Sequence, residues 1–172
     1  MLNLADYIRD IPDFPKPGII FKDITPLLQN GKAFKQAVDK LTKIAAELSV
    51  DKIVGIESRG FVFAAPVACN LGIGFVPVRK PKKLPYKVRR EIYQLEYGSD
   101  GVEIHEDAVD HGDNILIIDD LLATGGTVQA TAKLVEKGGA KIAAICFLIE
   151  LAFLQGRKKL TDYDIHSLIT FD

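Results

Sequence analysis

Phe34, Val38, Leu41, Ala45 and Leu48 are separated by 4, 3, 4 and 3 residues, the spacing of one apolar stripe on a helix covering about residues 33–49. The next apolar segment, Ile53-Val54-Gly55-Ile56, is too short for a helix and has no polar alternation, so it predicts a strand buried on both faces. A helix of small residues follows at about 61–70, then a strand near Phe75–Val78. Ile115–Ile118 predicts another buried strand, Thr127–Lys137 a helix stopped by Gly138-Gly139, and Ile142–Ile149 a further strand. Strands alternating with helices predict an α/β domain: a parallel sheet covered on both sides, with ligands beyond the C-terminal ends of its strands.

Two segments break this rhythm. Pro15–Pro26 holds three prolines and Gly18, which predicts a stiff irregular arm rather than a strand or helix. Between Arg79 and Arg90, seven of twelve residues are basic (Arg79, Lys80, Lys82, Lys83, Lys87, Arg89, Arg90), and six acids follow between Asp100 and Asp113. Glu91–Tyr97 and Val102–Ile104 within this region predict a hairpin that leaves the main sheet. By charge alone it suits a lid over an anion and a plain solvated hairpin equally well.

Composition narrows the class. The 172 residues suit one domain, apolar residues make up 48%, and the formal charge is −1, so no global basic field favours nucleic acid or an anionic membrane surface. Cys69 and Cys146 form no metal-type pair, and His105, His111 and His166 show no ligand spacing. The apolar stretch 60–78 is interrupted by Pro66, Asn70, Gly72, Gly74 and Pro77, and 142–154 is too short to span a bilayer. With acid at residue 6 and no basic leader, the expected location is the cytoplasm.

The richest segment is Ile115-Leu116-Ile117-Ile118-Asp119-Asp120-Leu121-Leu122-Ala123-Thr124-Gly125-Gly126-Thr127. Four apolar residues deliver the chain to the end of a strand. Two carboxylates follow, then a glycine-rich turn, then a helix. Such a turn aims several backbone N–H groups at one anion, and the helix N-terminus adds partial positive charge. Thr124 and Thr127 add hydroxyl donors. Asp119 and Asp120 would repel a phosphate unless they face sugar hydroxyls or the hydration shell of Mg²⁺. Amides for a phosphate beside carboxylates for a ribose point to a ribose 5-phosphate site. The segment has neither the Gly-Lys-Ser/Thr of a Walker A loop nor a Gly-x-Gly-x-x-Gly turn.

This segment resembles the 5-phosphoribosyl 1-pyrophosphate (PRPP) fingerprint of type I phosphoribosyltransferases. Four neighbours narrow the resemblance to the adenine-specific branch: Asp13–Pro26, Glu57-Ser58-Arg59-Gly60-Phe61, Arg79-Lys80 with Lys83-Leu84-Pro85, and Leu95-Glu96-Tyr97-Gly98. The motifs run in the family's order from about residue 4 to about 169. The resemblance implies a single domain over 1–172, with a mostly parallel sheet flanked by helices. It also implies a hood from the base-binding arm at about 12–27 and a flexible lid at about 80–105. The implied activity joins adenine to PRPP, giving AMP and pyrophosphate with Mg²⁺, in a homodimer. The Mg²⁺ would be held mainly by PRPP, with Asp119 and Asp120 reaching it through water.

The resemblance also distributes roles. Ala123, Thr124, Gly125, Gly126 and Thr127 would bind the 5′-phosphate, and Asp119 and Asp120 the ribose. Arg59, Arg79, Lys80 and Lys83 would take the pyrophosphate, with Arg79 sometimes reaching toward a partner's site. Ile20, Phe21 and Lys22 would hold adenine, Ile20 through its backbone. Glu96 would act as general acid/base near N7, Tyr97 would stack or hydrogen-bond when the lid closes, and Glu57-Ser58 would be a cis peptide. Two other readings are a phosphoribosyltransferase for a 6-oxopurine and a PRPP-sensing regulator that binds nucleic acid. The proline-rich arm and Leu-Glu-Tyr lid disfavour the first, and the absence of a large basic face disfavours the second.

Overall fold

A computed structural model of the chain describes residues 2–94 and 98–172. Among the described residues the elements are β1 (Arg9–Pro12), β2 (Ile20–Asp23), α1 (Thr25–Gln29), α2 (Gly31–Ala46), β3 (Lys52–Ile56), α3 (Gly60–Leu71), β4 (Gly74–Val78), β5 (Val88–Gln94), β6 (Ser99–His105), β7 (Asn114–Leu122), α4 (Gly126–Lys137), β8 (Lys141–Leu151) and β9 (Ile165–Phe171).

Strands β4-β3-β7-β8-β9 form one sheet in that order, with every neighbouring pair parallel. Alternation along each strand divides the core in two. Ile53, Leu116, Ile118, Ala144 and Cys146 face α2 and α3, whereas Val54, Ile56, Ile115, Ile117, Ile145 and Phe147 face α4 and the hairpin strand β6. Both faces are covered, which is why these segments read as unbroken apolar runs. The doubly wound α/β architecture agrees with the fold class expected from the sequence. No helix among the described residues is long and apolar enough to cross a membrane.

Sheet order reverses between β3 and β7: from β3 the chain moves outward to β4, and from β7 it moves the other way to β8 and β9. A crevice opens at such a switch point beyond the strand ends. Here it is deepened by unequal strand lengths. Pairing of β3 with β7 stops at Gly55↔Ile118, while β8 accompanies β7 as far as Leu122↔Glu150. Asp119 and Asp120, expected just past the strand end, therefore lie inside β7 on its one-sided extension. The long apolar β8 supplies the backbone partners that prolong it.

The arm differs from expectation too. Residues 15–26 include β2, paired antiparallel with β1, and the start of α1. The prolines stand where they do no harm: Pro12 closes β1, Pro15 and Pro17 lie in the connecting turn, and Pro26 enters the first turn of α1, where a missing N–H costs nothing. Phe14-Pro15 and Glu57-Ser58 are cis. Strand β9, not anticipated from the sequence, alternates Ile165, Ser167, Ile169 and Phe171 with His166, Leu168 and Thr170 and completes the sheet edge beside β8.

Helix α3 begins against β7 itself. A Cβ on Gly60 would lie 2.8 Å from Asp119 Oδ1 and 2.9 Å from the Ile118 carbonyl oxygen, both rigidly held. Gly60→Ala should lower unfolding stability by about 1–3 kcal/mol in urea titrations. Stability equal to the wild type would mean that α3 does not dock this closely.

Candidate active site

At the switch point, β7 delivers Asp119 and Asp120, and the turn that follows leads directly into α4. Asp119, Leu121, Leu122, Ala123, Thr124, Gly125, Gly126, Thr127 and Val128 line a cavity of about 80 Å³. Gly125 has φ +79°, the left-handed region, and its missing Cβ would lie 2.7 Å from the Gly156 carbonyl oxygen. Only glycine suits that backbone and that approach. The result is a ring of backbone and two threonine hydroxyls at the N-terminus of α4, a neutral cradle suited to an oxyanion.

The acid pair above it is electrostatically strained. Removal from water, then the adjacent Asp120 charge, push the Asp119 carboxyl well above its usual range, against the pull of Arg59. Burial also raises Asp120, with the Arg59 charge opposing it. Arg59 Nε lies 2.7 Å from Asp120 Oδ2, an ion pair without hydrogen-bond alignment, so that buried oxygen has no hydrogen-bond partner. Asp119 lines the cavity, and the unsatisfied Asp120 oxygen buried beside it suits a hydroxyl donor or a hydrated hard cation.

The other expected phosphate-binding cations are likewise paired. Glu57 accepts from Lys83 Nζ at 2.7 Å, the Lys80 N–H at 2.9 Å, and Arg79 Nε and Nη2 at 3.2 Å each. Burial would raise the Glu57 pKa, but these donors and the Arg79 charge outweigh it and hold the carboxyl at about 2. Lys80 extends from the end of β4 to Asp100 on β6 and lies 3.0 Å from the Tyr93 hydroxyl of β5.

The three residues expected at the base divide between the faces of β2. Phe21 lies under the Arg59 guanidinium, 5.2 Å from ring centroid to Cζ, and packs edge-on against Phe14. Ile20 and Lys22 instead border a separate apolar cavity of about 500 Å³, with Leu151, Phe153, Leu154 and Phe171 on its other walls. The Lys22 ammonium is 2.7 Å from Asp10 and 4.0 Å from the centre of the Phe171 ring. It thus ties β2 to β1 and to β9. Glu96 and Tyr97 lie outside the described residues.

Two side chains near these groups were not anticipated. Tyr93 and Asp100 oppose each other in the β5–β6 register, and Tyr93 also reaches Thr127. Their proximity depends on how the hairpin folds over α4, and the sequence carries no signal for it: Glu91 and Tyr93 face inward while the apolar Ile92 is exposed.

Comparison with known proteins identifies the fold. A phosphoribosyl transferase domain matches residues 27–171. The chain belongs to the phosphoribosyltransferase family. It is 59% identical over 170 residues to the adenine phosphoribosyltransferase of Desulfitobacterium hafniense (strain Y51), covering 99% of this chain and 98% of that one. The crystal structure of the Thermoanaerobacter pseudethanolicus adenine phosphoribosyltransferase superposes with a TM-score of 0.95 at 56% identity, covering 98% of each chain. The Saccharomyces cerevisiae enzyme, solved with D-2,5-dideoxy-2,5-imino-altritol 1,6-bisphosphate and adenine, gives 0.90 at 41% identity over 96% of each.

The depressed Glu57 carboxyl has a measurable consequence. Its folded-state pKa is about 2 against 4.5 ordinarily, so the stability it contributes is complete above about pH 4.5 and fades as pH falls toward 2. In urea titrations across that window, the stability gap between wild type and Glu57→Gln should narrow steadily with acid. A gap independent of pH would remove Glu57 as the anionic hub.

Proposed function

We propose that this chain transfers the 5-phosphoribosyl group of PRPP to N9 of adenine, giving AMP and pyrophosphate in purine salvage, with the 5′-phosphate on the Ala123–Thr127 turn. The observation that carries the reading is the junction itself: an anion cradle at the start of α4 whose lining includes Asp119, with Asp120 next to it on the open edge of β7. Asp119 and Asp120 accept from the ribose hydroxyls. Arg59, Arg79, Lys80 and Lys83 exchange their carboxylate partners for the pyrophosphate oxygens.

The base is read by backbone. Pro12 opposes Ile20 in the β1–β2 register and has no N–H, so that pair is a non-hydrogen-bonded one, and so is Asp10↔Lys22 two residues along. The Ile20 carbonyl and Lys22 N–H consequently point away from β1, toward the free edge of β2. One acceptor and one donor at that spacing match the N6 amine and N1 of adenine. A 6-oxopurine presents an acceptor and an N1–H in those places and meets both with the wrong sign. Phe21, on the opposite face from the apolar cavity, offers its ring to the base near Arg59.

N9 attacks C1′ as the bond to pyrophosphate oxygen breaks, and the base loses a proton. Glu96 manages that proton near N7, and Tyr97 closes over the site. Positive charge on the ribose and negative charge on the leaving group are met by the acid pair and the basic cluster respectively. No group of three or more His, Cys, Asp or Glu among the described residues forms a metal cage, and the donor set at Asp119 and Asp120 fits a hydrated Mg²⁺ carried by PRPP. Such an ion supplies charge neutralisation to the leaving pyrophosphate. Homodimerisation, with Arg79 directed toward a partner, and a cytoplasmic location belong to the same reading.

Initial-rate kinetics test it. Asp119→Asn and Asp120→Asn should raise the KM for PRPP about 10- to 100-fold, the worth of a charged hydrogen bond, with the adenine KM little changed. Because Asp119→Asn also removes a crowded charge, it should unfold no more easily than wild type. Glu96→Gln should cut kcat about 10²- to 10⁴-fold. Unchanged PRPP kinetics in both Asp variants would remove the ribose assignment.

A further inference from the structure

Tyr93 stands outside every role assigned above, yet it joins the hairpin to the anion cradle. Its ring lies over Gly126, where an added Cβ would meet Tyr93 Cδ2 at 3.3 Å. Its hydroxyl is 2.9 Å from Thr127 Oγ1, 3.0 Å from Lys80 Nζ and 3.1 Å from Asp100 Oδ2. Three polar groups therefore converge on one phenolic oxygen, and the proton inventory settles their directions. Lys80 can only donate, and Asp100, held below the ordinary carboxylate range by Lys80 despite burial, only accepts. The single phenolic proton goes to Asp100. Toward Thr127 the oxygen has only a lone pair left, so Thr127 must donate to Tyr93.

A threonine hydroxyl has one proton. While it points at Tyr93, Thr127 turns lone pairs toward the cradle, where an oxyanion needs a donor. We propose that Tyr93 is a positioning residue that sets the affinity of the cradle for phosphate: its phenol accepts the Thr127 proton, and a bound phosphate must take that proton from it. No covalent bond changes in the exchange. The Thr127 hydroxyl swings from the phenol to a phosphate oxygen, and the phenol keeps its partners Lys80 and Asp100. This rests on the reading of Thr127 as a phosphate ligand, and the test separates the two.

The sign of the effect distinguishes this role from support of the loop. If Tyr93 merely buttressed the cradle, deleting its hydroxyl would loosen the loop and weaken phosphate binding. As a competitor for the proton, its deletion strengthens binding. Tyr93→Phe keeps the ring over Gly126 and removes only the oxygen. Calorimetric titration of the full chain with ribose 5-phosphate should give a Kd about two- to tenfold lower in Tyr93→Phe than in wild type, the range of one neutral hydrogen bond. In a Thr127→Val background the same substitution should leave the Kd unchanged, because no proton remains to compete for. An unchanged or higher Kd in Tyr93→Phe, or an equal shift in both backgrounds, overturns the proposal. If Thr127→Val binds ribose 5-phosphate as tightly as wild type, the assignment of Thr127 to the phosphate fails first and takes the proposal with it.

Discussion

The site depends on a mismatch in strand length. β3 leaves β7 at Ile118, but β8 holds it straight to Leu122, so four residues of β7 stand in the sheet with one edge open. A carboxylate pair on a flexible loop would turn toward solvent. Fixed on a strand, Asp119 and Asp120 cannot move apart, and their mutual repulsion is relieved only by what enters from the open edge. In this structure that is Arg59, brought in by the start of α3. The close approach of Gly60 to Ile118 and Asp119 makes this placement a matter of backbone packing as well as charge.

The same logic extends to the basic residues. Arg59 is matched by Asp120, Arg79 and Lys83 by Glu57, and Lys80 by Asp100. The cations are thus gathered into position by internal carboxylates, which avoids leaving several like charges together unpaired. In the proposed reaction, a multiply charged pyrophosphate replaces these partners with stronger ones. Ground-state pairing and substrate binding then differ by an exchange of anions, with little rearrangement of the cations themselves.

How much of this was legible in the sequence follows from which forces were local. Ile53–Ile56, Ile115–Ile118 and Ile142–Ile149 announced themselves because burial on both faces demands unbroken apolar runs. The Gly125-Gly126 turn announced itself because a positive φ and close approaches restrict the residue type. β1 and β2 did not, since each is four residues long, flanked by prolines and mixed in polarity; they exist because they pair with each other. The division of Phe21 from Ile20 and Lys22 follows from strand alternation, which an irregular segment does not have. Tyr93 and Asp100 gain their significance from a hairpin register and its docking on α4, long-range facts that a linear pattern does not carry. The order of the family motifs along the chain compensated for much of this, because it named residues whose positions the local pattern left open.

In the proposed reaction, the free edge of β2 reads a 6-aminopurine by one carbonyl and one N–H. The most direct measurement is the ratio of kcat/KM for adenine and hypoxanthine, with saturating PRPP and Mg²⁺, followed by chromatographic separation of the nucleotides. Two reversed hydrogen bonds at a built polar edge should favour adenine by about 10⁴-fold or more, with AMP as the product. Comparable turnover of hypoxanthine would leave the phosphate cradle and acid pair standing and would contradict the backbone reading of the base.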